Sequence, residues 1–182
     1  MSGAPGRRSG IPGLRGVEHV GLTVPDLDEA VAFFRDVIGC ELIFDGGTFG
    51  PDPDFMPANL GVHPDATLRY CFMRCRTGTN FEIFEYASPD QARQRPRNSD
   101  WGGHHLAFYV DDFQAAIAHL RAHGVKIMGE PQFIEEGPAA GSWWVYFLSP
   151  WGLQMELCCY PQGKAYEKTA TRKLWHPARP EQ

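Results

Sequence analysis

The sequence has no apolar run close to the roughly 20 residues that a bilayer-spanning helix needs. Its N-terminus also lacks the continuous apolar core of a secretory signal. We therefore expect a cytoplasmic protein without a membrane partner. No long basic run is present either, and a net charge of −5 leaves little to drive binding to nucleic acid.

The cysteines are few, and their spacing is uninformative. There are five, an odd number, and no C-x-x-C pair occurs, which argues against a disulfide framework or a zinc site built on paired thiolates. Most lie in apolar, strand-like stretches, and we interpret them as reduced core residues. With 43% hydrophobic residues in 182, the chain has the composition of a globular protein.

What the sequence does contain is an internal repeat. Residues 18–26 read E-H-V-G-L-T-V-P-D, and residues 103–112 read G-H-H-L-A-F-Y-V-D-D. His19 falls on His105 and Asp26 falls on Asp112, both at an offset of 86 residues. The far ends of the two halves also match, because residues 81–83 read F-E-I and residues 155–157 read M-E-L.

Hydrophobic periodicity predicts the same order of elements in each half: strand, helix, strand, strand, strand. In the first half we expect strands at 17–24, 41–44, 67–75 and 80–86 and a helix at 27–38. In the second half we expect strands at 106–110, 125–128, 143–148 and 153–159 and a helix at 113–122. Two such halves in one chain make an α+β protein with two curved sheets.

The remaining segments set the predicted boundaries. Residues 1–16 are rich in Gly, Pro, Ser and Arg and predict a disordered arm. The first module then covers 17–87, a polar linker 88–102, the second module 103–160 and a C-terminal tail 161–182. Residues 45–66 form a long loop of the kind that serves as a lid or binding loop or is disordered. The tail is expected to pack across a partner chain or over the mouth of a cleft.

Each half carries one histidine on its first strand and one glutamate on its last strand. Strand alternation places His19, Glu82, His105 and Glu156 on the face opposite the aliphatic one. If each sheet packs its helix on the aliphatic side, the four side chains point into the concavity. Two imidazoles and two carboxylates suit a divalent ion such as Zn²⁺, Ni²⁺, Co²⁺, Mn²⁺ or Fe²⁺, which can act as a Lewis acid on a substrate oxygen.

The neighbouring histidines, the aromatic residues and Glu85 have other expected roles. His104 is the alternative to His105, although alternation places it on the aliphatic side. Only Phe84 and Tyr109 share the parity of the predicted ligands among six aromatic residues that are candidates for the substrate pocket or for core and sheet-face packing: Phe49, Phe55, Phe84, Tyr109, Trp143 and Tyr146. Glu85 has the helix-facing parity, which favours a surface ion pair. The other histidines have no equivalent histidine in the other half of the repeat, and we expect them to be exposed: His63, His119, His123 and His176.

Residues 17–160 resemble the vicinal oxygen chelate superfamily, which includes glyoxalase I, methylmalonyl-CoA epimerase, extradiol dioxygenases, fosfomycin-resistance enzymes and metal-free bleomycin-resistance proteins. The motifs that carry the resemblance are E-H-V-G-L-T-V, F-E-I-F-E, H-H-L-A-F-Y-V-D-D and S-P-W-G-L-Q-M-E-L. It implies two βαβββ modules whose curved mixed sheets pair around a metal-containing cleft. It also implies four metal ligands, His19, Glu82, His105 and Glu156.

The resemblance further implies a metal-dependent lyase or isomerase that moves a proton on a small substrate chelated through vicinal oxygens, with Glu156 as the base. An extradiol-type dioxygenase ranks lower, since its usual ligand set of two histidines and one glutamate lies within one module. A metal-free drug-binding or resistance protein also ranks lower, because such members usually lack the His/Glu set. We expect a small-molecule substrate and a homodimer, with the modules pairing either within one chain or across the dimer.

Overall fold

A computed structural model describes residues 10–181. Residues 1–9 of the expected N-terminal arm lie outside the described residues, and residues 10–16 contain no helix or strand. None of the helices in this part of the chain is long and apolar enough to cross a membrane.

The two halves fold as the repeat predicts, each into a four-stranded mixed sheet with one helix. The first half comprises β1 (His19–Val24), α1 (Leu27–Phe33, continued by a π-helical turn at Phe34–Ile38), β2 (Glu41–Phe49), β3 (Thr67–Arg74) and β4 (Asn80–Ala87). The second comprises β5 (Leu106–Tyr109), α2 (Phe113–Ala122), β6 (Lys126–Phe133), β7 (Trp143–Leu148) and β8 (Gln154–Cys159). The sheet orders are β1-β4-β3-β2 and β5-β8-β7-β6. The α+β class is therefore confirmed.

Both helices begin at the aspartates that the repeat aligns. The Asp26 carboxylate accepts the backbone N–H of Glu29 and the Asp112 carboxylate accepts that of Ala115, each at 2.9 Å. These caps satisfy backbone donors that the first helical turn leaves unpaired. The first helix ends at Gly39, whose φ of 86° is a left-handed conformation that glycine adopts readily. The helix boundaries thus follow from local chemistry.

Two strands run further than the sequence predicts. β2 continues to Phe49 and β6 continues to Phe133, well beyond the expected ends at 44 and 128. Both strands contain irregular register shifts, within residues 42–47 of β2 and within residues 128–132 of β6. A bulge interrupts the period-two alternation that predicts a strand. The sequence pattern therefore ends before the strand pairing does.

The long loop after β2 packs onto the first sheet. Leu68 lies on the same face of β3 as Tyr70 and Phe72, which are only partly buried. Leu68 is buried, as are Met56 and Ala66 from the loop. A side chain at Gly50 would collide with Met56 and with the Ala66 carbonyl, so only glycine fits at this approach. The loop, which includes a short helical turn at residues 56–60, therefore covers one end of the first sheet.

The two halves share one hydrophobic core. Buried residues of both helices and of the helix-facing sides of both sheets belong to a single cluster. Phe34 of the π-helical turn is fully buried, and its ring lies 5.3 Å from that of Phe81 and 6.2 Å from that of Trp151 in the second half. The core lies between the two sheets, so the opposite faces of the sheets point outward. We call these outward surfaces the open faces.

The C-terminal segment packs on its own chain and corrects one expectation. Thr77 donates to the carbonyl of Pro177 at 3.1 Å. His176 was expected to be exposed, but it is 6% exposed, between the rings of Tyr109 and Tyr160 at centroid distances of 4.3 and 5.0 Å. The prediction was wrong because the tail sequence carries no periodic pattern that would reveal its path across the end of β5.

Candidate metal centre

The first predicted pair forms on the open face of the first sheet. The parallel pairing of β1 with β4 places His19 opposite Asn80 and Gly21 opposite Glu82. The His19 Nε2 atom and the Glu82 Oε2 atom are 3.1 Å apart, and their side chains are 38% and 20% exposed. An imidazole nitrogen and a carboxylate oxygen thus meet at a surface that a ligand can reach.

The second pair repeats this geometry on the open face of the second sheet. The parallel pairing of β5 with β8 places Ala107 opposite Glu156, and His105 precedes that strand. The His105 Nε2 atom and the Glu156 Oε2 atom are also 3.1 Å apart. His104 is exposed, and its Nδ1 atom lies 3.0 Å from the carbonyl oxygen of Gly102. The structure therefore places His105, rather than His104, beside the glutamate.

The structure brings together each pair but not the two pairs. In residues 10–181, no group of three or more His, Cys, Asp and Glu side chains is placed to hold a metal ion. The reason is the shared core, since the two open faces lie on opposite sides of it. Each chain thus presents two half-sites of the same composition, one imidazole and one carboxylate. The donor types fit a divalent transition ion, and a four-ligand shell needs two half-sites.

Glu18 and Asn80 support the first half-site. The Glu18 Oε2 atom lies 2.5 Å from Nδ1 of His19. Asn80 donates to the other carboxylate oxygen of Glu18 at 3.1 Å and to its carbonyl at 3.0 Å. The hydrogen bond to Glu18 raises the pKa of His19, and the same bond lowers the pKa of Glu18. A carboxylate on Nδ1 orients the ring with Nε2 toward Glu82, as outer-shell groups do for metal-binding histidines.

The second half-site differs in its electrostatics. Burial raises the pKa of Glu156, while the adjacent His105 acts in the opposite direction. His104 occupies the position that corresponds to Glu18 at the offset of 86 residues. The second histidine therefore has no counterpart of the Glu18 carboxylate at that position. The two half-sites therefore have the same types of predicted ligand, one histidine and one glutamate, but different neighbouring groups.

The two predicted pocket residues, Phe84 and Tyr109, lie in different surroundings. Phe84 lies on the first open face, with its ring 5.9 Å from that of Tyr70 and 5.5 Å from that of Tyr86. Tyr109 lies at the end of β5 against Tyr160 and the tail, where burial raises its pKa to about 12. Phe84 is thus on the same open face as His19, whereas the tail covers Tyr109. As pocket residues, both remain predictions.

Two rings contact the predicted ligands: that of Phe72, which sequence reasoning missed, and that of Tyr146, a pocket candidate that was not given the ligand parity. Phe72 is edge-on to His19 at a centroid distance of 5.4 Å, and Tyr146 is edge-on to His105 at 5.2 Å. Only Phe84 and Tyr109 were assigned the ligand parity, but Tyr146 pairs with Glu156 across β7 and β8 and shares its face. No predicted ligand lies on β7, so the sequence did not indicate which residues of that strand share a face with the ligands. Glu85, by contrast, forms the expected ion pair, 3.5 Å from Arg69.

The family follows from a comparison with known proteins. The model of the Glyoxalase/Bleomycin resistance protein/Dioxygenase superfamily matches residues 16–157. The chain belongs to this superfamily. The resemblance that the sequence motifs indicated is confirmed.

Within this superfamily, the chain is 51% identical over 171 residues to a 2-epi-5-epi-valiolone epimerase from an Actinomyces species, and the match covers 92% of each protein. A glyoxalase family protein from Bacillus cereus has the same fold, with a TM-score of 0.65 and 19% identity over 84% of this chain and 98% of that one. A fosfomycin resistance protein from Listeria monocytogenes, FosX, solved with Mn(II) and sulfate, has a TM-score of 0.52 at 19% identity over 86% of this chain and 99% of that one.

Proposed function

We propose that this protein is a metal-dependent epimerase that inverts a carbon centre next to the carbonyl of a small polyhydroxylated cyclic ketone. The observation that carries the proposal is the pair of matching His–Glu contacts at 3.1 Å, one on each open face. The substrate class is supported by the 51% identical relative, whose name describes the epimerisation of a cyclic polyhydroxy ketone. Because the match covers 92% of each protein, we expect the two proteins to catalyse the same class of reaction.

The complete site is proposed to form between two copies of the chain. A second copy whose second half faces the first half of this one places His105 and Glu156 next to His19 and Glu82. A twofold axis then generates two identical sites per dimer. Two features support this arrangement. β1 and β5 are edge strands of their sheets. The first open face also exposes the large apolar side chains of Phe44 and Phe49, and exposed apolar surface of this kind marks interaction sites.

The four predicted ligands would hold Zn²⁺, Ni²⁺, Co²⁺, Mn²⁺ or Fe²⁺, all of which accept imidazole and carboxylate donors. When bound, such an ion supplies Lewis-acid polarisation of a ketone oxygen. Glu18 and Asn80 fix the orientation of His19 before any ion arrives. In the first half-site, hydrogen bonds within the chain therefore set the orientation of the His19 ring.

Glu156 is the proposed base. Its carboxylate takes the proton from the carbon next to the ketone, and the electron pair of that C–H bond moves to form the enolate. Burial raises the pKa of Glu156, which makes the carboxylate a stronger base than an exposed one. Return of a proton to the opposite face of the same carbon completes the inversion. Glu82 of the facing half is the second carboxylate available for that step.

The test is an exchange experiment on the purified full chain. Protein as isolated is analysed for metal by elemental analysis and then incubated in D₂O with a valiolone-type ketone, while NMR follows loss of the proton next to the carbonyl. We expect near-stoichiometric metal, exchange together with epimerisation, and no oxygen consumption. Treatment with a chelator should abolish exchange, and adding back one of the five ions should restore it. Full exchange by metal-free protein, or none by metal-loaded protein, would contradict the proposal.

A further inference from the structure

The two half-sites differ at one position that the fold makes equivalent. Phe72 pairs with Glu82 across β3 and β4, and Tyr146 pairs with Glu156 across β7 and β8. The offset from Phe72 to Tyr146 is 74 residues, the same as that from Glu82 to Glu156. Each aromatic residue is therefore the cross-strand neighbour of a predicted ligand glutamate, on the same face of its sheet.

The two rings also take the same place relative to the histidines. The Phe72 ring meets that of His19 at an interplanar angle of 79°, and the Tyr146 ring meets that of His105 at 76°. The centroid distances, 5.4 and 5.2 Å, differ by only 0.2 Å. With position and tilt matched, the main chemical difference between the two rings is the phenolic hydroxyl of Tyr146.

The surroundings strengthen that difference. On the first open face, Phe44 stacks on Phe72 at 5.0 Å, so the ring that contacts His19 packs against a second hydrocarbon ring. On the second open face, the register places Met128 rather than an aromatic residue opposite Tyr146. Tyr146 is half-buried, so its ring is held while the face remains open. In a site assembled from both halves, the ring that contacts a predicted ligand histidine carries a hydroxyl only on the Glu156 side.

We propose that the Tyr146 hydroxyl binds an oxygen of the substrate beside Glu156 and thereby selects which carbon–hydrogen bond faces that carboxylate. The inference rests on the proposed epimerase function and names a specificity residue for it. A polyhydroxylated ring has oxygens on several carbons, so it needs a directional contact to lie one way round. A phenol, protonated at neutral pH, both donates to and accepts from a hydroxyl or carbonyl oxygen, and a phenylalanine ring does neither.

The test compares the parent protein with Tyr146→Phe in the exchange assay, with metal content and melting temperature measured on both. We expect kcat/KM to fall about tenfold or more, as loss of one substrate hydrogen bond implies, with metal content and melting temperature unchanged. Tyr166→Phe, which removes a phenol whose oxygen accepts the backbone N–H of Leu174 in the tail, is the control and should keep the parent kcat/KM. The double variant Phe72→Tyr/Tyr146→Phe moves the hydroxyl to the other half and should not restore the rate.

The outcomes are separable. An active parent with an equally active Tyr146→Phe variant overturns the role of the hydroxyl but leaves the epimerase function intact. Loss of metal from Tyr146→Phe also overturns it, because the residue would then act on the metal ligands rather than on the substrate. A parent that exchanges no proton overturns the proposed function, and the inference with it.

Discussion

Replacing Glu156 by glutamine is expected to lower kcat/KM by about a thousandfold or more. Glutamine keeps the size of the side chain but cannot take up a proton, and removal of a general base typically costs about 10²–10⁴ in rate. It also replaces an anionic metal ligand by a neutral one, which adds to the loss. The measurement is the D₂O exchange rate, with elemental analysis of the variant to separate loss of the base from loss of the ion.

Glu85→Gln is the matched control for this substitution. Glu85 lies on β4, next to a predicted site residue, but its carboxylate points to the helix side, where it accepts the N–H of Leu27 at 2.9 Å. The amide oxygen of glutamine can still accept that bond, so activity should stay near that of the parent. If Glu156→Gln retained more than about a tenth of the parent rate, it would exclude Glu156 as the base.

Replacing Phe34 by alanine is expected to reduce the free energy of unfolding by about 3–5 kcal/mol. Phe34 is fully buried and contacts both halves, through Phe81 in the first and Trp151 in the second. Truncation leaves a cavity where the halves meet, and the π-helical turn allows only partial relaxation into it. The loss should appear as a lower denaturant midpoint in chemical unfolding.

Trp101→Ala is the control for the core substitution. Trp101 is fully exposed in the linker, and its removal should change the free energy of unfolding by less than about 0.5 kcal/mol. If Phe34→Ala reduced the free energy of unfolding by less than about 1 kcal/mol, the Phe34 ring would not be a main stabilising contact between the two halves. The control also reports whether loss of any large aromatic side chain perturbs the measurement.

The parts of the fold that depend on local chemistry could be predicted from the sequence. The bounds of α2, residues 113–122, match the structure because Asp112 caps the helix and its apolar residues keep a helical period. The bulged ends of β2 and β6 could not be predicted, since a bulge breaks the alternation that identifies a strand. Tertiary packing of the tail, which buries His176, has no local signature at all.

The candidate site was only half predictable for a similar reason. The repeat selects His19, Glu82, His105 and Glu156 as candidates, and the two His–Glu contacts agree with it, because it describes each half by itself. It contains no information on how the halves dock, and the structure places the two pairs on opposite sides of one core. Tyr146 could be named only as one of several pocket candidates, because its place beside Glu156 depends on the register of β7 with β8, which is a property of the folded sheet.

The central proposal, one site built from two copies, is tested most directly by complementation. His19→Ala and His105→Ala chains carrying different tags are coexpressed, and the mixed dimer is isolated through both tags. In the proposed assembly, one site of that dimer has both histidines intact and the other has neither. We predict that each variant alone is inactive and that the mixed dimer has about half the parent activity per dimer. An inactive mixed dimer would contradict a site shared between copies.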